Sequence, residues 1–384
     1  MHVAVVGGGI VGLASAYYLA ERGADVTVFE KGNVGNGSTE RSVGGIRAQF
    51  STPVNVELSV ASMRVWNDFR ETFGTDIAHR KAGYLFVTRE EEAARQFEAN
   101  VAMQNERGVP SELLTPEQAS EHCPELKIEG LLTATYSPTD GFADPHLALQ
   151  GFATAARESG VEIRTKTTVS AIERGGGGAG VTGVVADGEQ IDADFVVNAA
   201  GPWARRVAAM ADVDLPVRPK RRQMLVVEPE IRVPEDVPLT IDLDSGAHFR
   251  PEREGAALVG GNFGGQDPDE DPDAFDQKFD LDWAAEAVER AGDLAGYFGP
   301  DSRIRRGWAG LYAVTPDHHP IVEETVPGFV NVVGFSGHGF QHAPATGQLV
   351  TELVLDGEAS LVDISGLGSD RFESGELLEE RNVA

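Results

Sequence analysis

The sequence predicts an α/β protein in which a parallel-sheet domain is assembled from separated stretches, with a mainly antiparallel β domain inserted between them. Three observations carry this expectation. Val3-Ala-Val-Val6 is a short, wholly apolar run, the pattern of a strand buried on both faces, and Val26-Thr-Val-Phe29 and Phe195-Val-Val197 read as further strands of the same kind. Gly7-Gly8-Gly9 breaks the first run and leads straight into a helical periodicity, so residues 1–31 read as one βαβ unit. The middle of the chain, from about Val217 to Trp308, is instead rich in β signals and prolines.

The elements follow in order. Ile10, Leu13, Ala14, Tyr17 and Tyr18 recur at helical spacing up to Glu21-Arg22, and Gly23 suits the left-handed residue after a helix. The second strand ends in Glu30. A glycine-rich segment, Gly32–Gly45, is too irregular for an element. Thr52-Pro53 reads as N-cap and first helical residue, opening a helix towards Phe73. Tyr84–Thr88 is a predicted strand, Glu90–Arg107 a surface helix with acids in its first turn, and Asp144-Pro145 caps a helix to about Ser159. Strands are predicted at Glu162–Thr165, Val169–Glu173 and Val181–Ala186, with Gly175–Gly178 as a flexible connection. Near the end come a strand at Phe329–Val333, a glycine-rich turn at Gly334–Gly339, and an apolar helix at Pro344–Leu355.

The 384 residues carry 61 acids against 32 bases, a formal charge of −29, which argues against a nucleic-acid partner or an anionic membrane surface. Only six of the bases are Lys, and the acids are spread along the chain with one denser stretch at Asp267–Asp282. Such a surface suits life in high salt, where self-repulsion is screened. The single cysteine, Cys123, excludes an intrachain disulfide or a thiolate metal cage from this chain alone, and no metal site is expected. No membrane insertion is expected either, because no run of about twenty apolar residues occurs. The N-terminus has neither a basic leader nor a cleavage signal, so a cytoplasmic location is expected.

The chemistry begins at Gly7-x-Gly9-x-x-Gly12. The motif follows a strand, opens a helix, and meets an acid, Glu30, 18 residues after its last glycine. Gly7 permits the tight turn, Gly9 admits a pyrophosphate to the backbone amides of the helix start at Ile10 and Val11, and Gly12 lets helix and strand pack closely. Glu30 is placed to accept hydrogen bonds from an adenosine ribose. One such fingerprint at the N-terminus favours FAD reduced directly by an organic substrate, with a single-site NAD dehydrogenase as the alternative.

Five blocks then occur in order: Met1–Lys31, Gly44-Gly-Ile-Arg47, Asn198-Ala-Ala-Gly-Pro-Trp203, Thr315-Pro-Asp-His-His-Pro320 and Gly334-Phe-Ser-Gly-His-Gly-Phe340. Together they resemble the D-amino-acid oxidase-like family of FAD-dependent oxidoreductases, nearest the branch of sarcosine oxidase β-subunit, glycine oxidase and amino-acid dehydrogenases. The resemblance implies a discontinuous, Rossmann-like FAD-binding domain at 1–80, 140–215 and 325–365. It also implies a substrate-binding domain at 81–139 and 216–324, with a C-terminal tail at 366–384. In that family a bound amine gives a hydride to flavin N5 and the imine product is hydrolysed.

Carried over by position, the resemblance makes Arg47 the grip on a substrate carboxylate, with Arg250 as a second candidate. It gives Tyr312 and His338 to the substrate pocket. A core aromatic and a structural imidazole are the alternatives for those two. Expected cofactor contacts are Gly7, Gly9, Ile10, Val11, Gly12, Glu30, Lys31, Gly44, Gly45, Val169, Ala200, Gly201, Trp203, Gly310, Gly337, His338, Gly339, Phe340 and Gln341. Ser38 and Thr39 either join them at phosphate or ribose, or cap a turn. His318-His319 lacks a third ligand nearby, which disfavours a metal.

Three departures from the family qualify this. Gly310 stands where some relatives link flavin to a cysteine, so the FAD is expected to be non-covalent. Gln341 replaces a lysine that helps hold the carboxylate in some sarcosine oxidases. No lysine lies between Lys220 and Lys278, where the oxidases place one over the flavin, which favours a dehydrogenase with an acceptor other than oxygen. The expected substrate is a small amino acid or secondary amine: sarcosine, glycine, proline or a D-amino acid. The alternatives are a 2-hydroxy-acid or glycerol-3-phosphate dehydrogenase, and the flavin subunit of a hetero-oligomeric amine dehydrogenase.

Overall fold

The computed structural model describes residues 1–176, 180–263 and 266–382. Of the connection expected at Gly175–Gly178, Gly177 and Gly178 lie outside the described residues. Two large sheets organise the chain. The first has six strands in the order Ile321–Val326, Phe329–Val333, Phe195–Asn198, His2–Val6, Asp25–Glu30 and Glu162–Thr165. All neighbours are parallel except the first two, which form a hairpin. The register sets Val3 beside both Phe195 and Val26, so the apolar runs read from sequence lie side by side at the centre. Val3, Ala4 and Val5 are fully buried, as strands covered on both faces require.

Four helices pack on one face: Ile10–Glu21, Pro53–Asn67, Pro145–Glu158 and Gly339–Leu355. The first and last cross closely because Gly347 has no side chain; a Cβ there would stand 2.7 Å from the Ala14 backbone. The last helix starts at Gly339, five residues before the expected Pro344, so that proline sits inside the helix. The helix expected to run from Pro53 to Phe73 is two, Pro53–Asn67 and Phe69–Phe73, separated at Asp68.

The second sheet has eight strands in the order Arg303–Val314, Arg218–Glu228, Ala257–Gly260, His248–Pro251, Leu239–Asp242, Tyr84–Thr88, Thr133–Ser137 and Glu112–Leu114. Only the pairing of Leu239–Asp242 with Tyr84–Thr88 is parallel, so the sheet is mainly antiparallel. Helix Leu281–Leu294, not foreseen from sequence, covers its core through Ala284, Ala287, Ala291 and Leu294. The hairpin strand Ile321–Val326 belongs to the parallel sheet although its first four residues fall within the stretch 216–324 expected for the inserted domain.

The C-terminal stretch 366–382 packs on the body of the molecule. Arg371 forms a buried ion pair with Asp317 at 2.7 Å and donates to the His319 and Pro320 carbonyls. The Glu380 carboxylate accepts the Ser51 N–H at 2.7 Å, the Thr52 hydroxyl at 2.8 Å and the Asn55 amide at 3.0 Å. Thr52, the N-cap of helix Pro53–Asn67, makes no capping bond of its own, so Glu380 supplies the negative charge at that helix start. Among the described residues no helix is long and apolar enough to cross a membrane.

Candidate active site

A cavity of about 530 Å³ opens along the carboxyl ends of the parallel strands and beneath the mixed sheet. Its first wall is the turn after His2–Val6. Gly7 has φ +114° and lies against Ala199, whose carbonyl oxygen would stand 2.5 Å from any Cβ. Gly12 does not line the cavity; it backs onto Gly7, where a Cβ would meet the carbonyl oxygen at 2.0 Å. Gly9, Ile10 and Val11 do line it. Thr39 Oγ1 accepts the Ile10 N–H at 3.1 Å, which fixes the Ser38–Arg41 helix against the glycine turn. Ser38 donates to the Leu311 carbonyl at 2.6 Å and so ties this wall to the mixed sheet. Neither hydroxyl caps a turn of its own segment; each is spent on a contact with a distant part of the chain.

Glu30 closes this end. Its two oxygens accept the Gly8 N–H at 2.9 Å and the Gly32 N–H at 2.7 Å, which orients the carboxylate at the cavity and leaves each oxygen a further lone pair. Lys31 lies beside it with its ammonium 3.8 Å above the Trp203 ring. Val169, Ala200 and Gly201 complete the lining here.

The far end is built by Gly310, Tyr312 and the turn Gly334–Gln341. From Asp25–Glu30 to Phe329–Val333 is three strand spacings, or about 14 Å. Gly337, with φ +99°, packs on the Tyr312 ring, which a Cβ would strike at 2.4 Å. His338 is the N-cap residue of helix Gly339–Leu355, and Gly339, Phe340 and Gln341 form its first turn beside the cavity.

Arg47 follows the short strand Gly45–Ile46 and is buried over the Phe50 ring, 3.9 Å from its centroid. Its backbone N–H donates to Gln341 Oε1 at 2.8 Å. Its guanidinium donates to the main-chain carbonyls of Gln49 and Asn382 and meets His338 Nε2 at 3.3 Å. Those contacts use three of five N–H donors and leave two. Burial, and then Arg47, hold His338 well below the ordinary histidine range, so the ring is neutral. Because Arg47 donates to Nε2, the ring proton belongs on Nδ1. Tyr312 lies between Arg47 and a second arginine, Arg222, whose guanidinium is 5.7 Å from its ring. Burial raises the Tyr312 phenol, and it raises that of Tyr84 too, whose hydroxyl lies over Gly45.

Besides Gly12, two sequence candidates stand apart from the cavity lining. Arg250 is turned away: its guanidinium donates to the Pro251 and Val43 carbonyls and stacks on Phe142, so it braces the loop that carries Arg47. Gly44, φ +72°, packs on the Ala143 carbonyl. His319 bonds to Thr52 and to the Asp317 carbonyl, and Cys123 is buried under the mixed sheet. Sequence reading did not find Arg222, Tyr84 or His248, all of which line the cavity from the mixed sheet. Their signal is strand alternation, which does not say which face meets a ligand.

The chain's own groups fit FAD. The first-turn amides beyond Ile10 have no helical acceptor, Glu30 offers free lone pairs, and the glycine turn leaves room where a Cβ would crowd the backbone. The amides of Gly9 and Val11 would hold the pyrophosphate, with Gly7 and Ile10, whose N–H groups go to the Phe29 carbonyl and Thr39, shaping the turn around it; Glu30 would hold the ribose, and Gly310 with Gly337–Gln341 the flavin ring.

Comparison with known proteins agrees. The family model described as FAD dependent oxidoreductase (DAO) matches residues 2–353. The chain is 34% identical to FAD-dependent oxidoreductase domain-containing protein 1 of Xenopus laevis, over 99% of this chain and 84% of that protein. It is 28% identical to the sarcosine oxidase subunit beta of an Arthrobacter species, over 100% of this chain and 93% of that one. The crystal structure of L-proline dehydrogenase from P. horikoshii superposes with a TM-score of 0.89 and 34% identity, covering 98% of both chains.

Proposed function

The chain belongs to the DAO family of FAD-dependent oxidoreductases, and from that premise we propose that it oxidises a small amino acid or secondary amine, with proline, sarcosine, glycine and D-amino acids as the candidates. The observation that carries this is the convergence of Arg47, Tyr312, Tyr84 and a neutral His338 at one end of a cavity whose other end suits adenosine. FAD supplies acceptance of an electron pair, taken as a hydride from the carbon bearing nitrogen, so that an imine remains for water to hydrolyse.

The protein's part is recognition and orientation. Arg47 takes the substrate carboxylate through its charge and a remaining N–H donor, on Nε or Nη1, and Gln341 fixes its backbone. The Tyr312 and Tyr84 hydroxyls, kept protonated by burial, donate to a carboxylate oxygen or accept from the amine. His338 adds no positive charge beside Arg47, so the site favours a neutral amine. The 17-residue helix Gly339–Leu355 points its N-terminus at the ring end, where negative charge develops on reduction. The only lysine among the described lining residues is Lys31, beside Glu30, which favours an acceptor other than oxygen. The 34% likeness to L-proline dehydrogenase supports the same reading.

Arg47→Met tests it. The variant is expected to keep its yellow FAD but raise KM for the amino acid at least about a hundredfold, with a smaller change in kcat. An unchanged KM would remove the carboxylate from the account. A second reading, favoured by the likeness to a sarcosine oxidase subunit, makes the chain the flavin subunit of a larger assembly. Native size in a fresh extract separates the two.

A further inference from the structure

The acid-dense stretch that follows the strand Ala257–Gly260 is not a free solvated face. Asp267 pairs with both terminal nitrogens of Arg222 at 2.8 and 3.0 Å, Asp269 lies 2.9 Å from Lys220, and Asp280 lies 2.7 Å from Arg221. These partners belong to the mixed sheet, on which the stretch begins and to which it returns at helix Leu281–Leu294. Its middle reaches the parallel-sheet side. Asp271 meets Arg206 at 2.6 Å. Asp273 is a hub: Oδ1 accepts Lys31 Nζ at 2.5 Å and Trp203 Nε1 at 2.8 Å, and Oδ2 accepts Arg206 Nη1 at 2.5 Å. Asp273 and its three donors all line the cavity, and Lys31 directly follows Glu30.

We propose that Asp273 is a cofactor-retaining residue: it fastens residues 266–280 as a strap across the adenosine end of the cavity and holds Lys31 and Trp203 as the wall that FAD must pass to leave. The proposal rests on FAD binding alone and not on the identity of the substrate. A single exposed ion pair contributes little, and Asp273 is half-exposed. What distinguishes it is that one carboxylate joins three donors from two separate segments beyond the parallel strands, so its loss frees Lys31 and Trp203 together and leaves Arg206 to Asp271 alone. The three bonds to cations and indole also hold its carboxyl down to about 2, so it remains ionised through the working range.

The experiment follows FAD loss from the loaded, full-length protein after dilution at low ionic strength, read as the rise in free-flavin fluorescence. Asp273→Asn is expected to release FAD about tenfold faster than the native chain. Asp269→Asn, whose partners Arg218 and Lys220 lie outside the cavity lining, is expected to stay within about twofold. Potassium chloride at molar concentration is expected to speed release from the native protein and to narrow the gap to Asp273→Asn, because these pairs are screened. Melting of each apoprotein verifies that the variants fold. If Asp273→Asn fails to fold, Trp203→Phe carries the test, with release about threefold faster. Release at the native rate in the cavity-lining variant, or equally fast release from Asp269→Asn, would overturn the proposal.

Discussion

Gln341 holds the backbone of Arg47: its Oε1 accepts the Arg47 N–H at 2.8 Å across 294 residues of sequence, and both residues are buried. The first turn of helix Gly339–Leu355 therefore positions the loop that carries the arginine. Gln341→Leu leaves that N–H without a partner, at a cost of about 1–3 kcal/mol. The variant is expected to melt lower by a few degrees and to bind amino acid more weakly than it turns it over. A rise in KM alongside an unchanged melting temperature would mean the bond does not anchor the loop.

Asp317 and Arg371 form a fully buried pair. Burial pushes the Asp317 carboxyl up, but the Arg371 guanidinium outweighs it and holds the group below its ordinary value. Arg371→Met strands the carboxylate and is expected to cost about 3–5 kcal/mol at pH 7. Because the folded value is lowered, the pair's contribution is complete above the unfolded value of 3.8 and fades as pH falls through the folded one. The difference between native and variant stability should accordingly shrink towards pH 3. Denaturant titrations at both pH values measure it, and a gap that widens in acid would contradict the pairing.

Asp140 runs the other way. It accepts the Ala48 N–H at 2.9 Å and the Gln49 amide at 3.2 Å, yet burial pushes its carboxyl up to about 6. The folded chain thus keeps a proton that the unfolded chain releases, and stability from this group falls between about pH 4 and pH 6 and stays lower above. Asp140→Asn removes that loss, so relative to the native chain it is expected to gain up to about 3 kcal/mol from pH 4 to pH 7. A difference that stays constant over that range would show that Asp140 ionises without penalty.

No thiol reaches the cavity. Cys123 is buried under the mixed sheet with its pKa pushed up to about 12, and Gly310 meets the cavity without a side chain. Denaturing the yellow protein and filtering it should leave all the flavin in the filtrate, and colour retained on the chain would identify a covalent link through another residue.

The legibility of the sequence differs between the two sheets. The strands His2–Val6, Asp25–Glu30 and Phe195–Asn198 were readable because parallel strands covered on both faces are near-continuous apolar runs, and the glycine turn after the first has a fixed spacing. Helix Leu281–Leu294 was hidden because its buried stripe is mostly alanine, Ala284, Ala287 and Ala291, between acids. Arg222 and Tyr84 were missed because facing the cavity depends on which side of a strand meets the other sheet. Arg250 was misplaced for the same reason, since its strand turns it onto Val43 and Phe142. The acids at Asp267–Asp280 were legible as charge but not as a strap, because their partners lie up to 242 residues away in sequence.

The most direct measurement is the visible spectrum of the FAD-loaded protein under anaerobic conditions, with L-proline, sarcosine, glycine and several D-amino acids added in turn, followed by 2-hydroxyglutarate and glycerol 3-phosphate. The account predicts that one of the amines bleaches the oxidised flavin band and that Arg47→Met needs far more of it to do so. Bleaching by a hydroxy acid or a phosphate ester, with every amine silent, would contradict it.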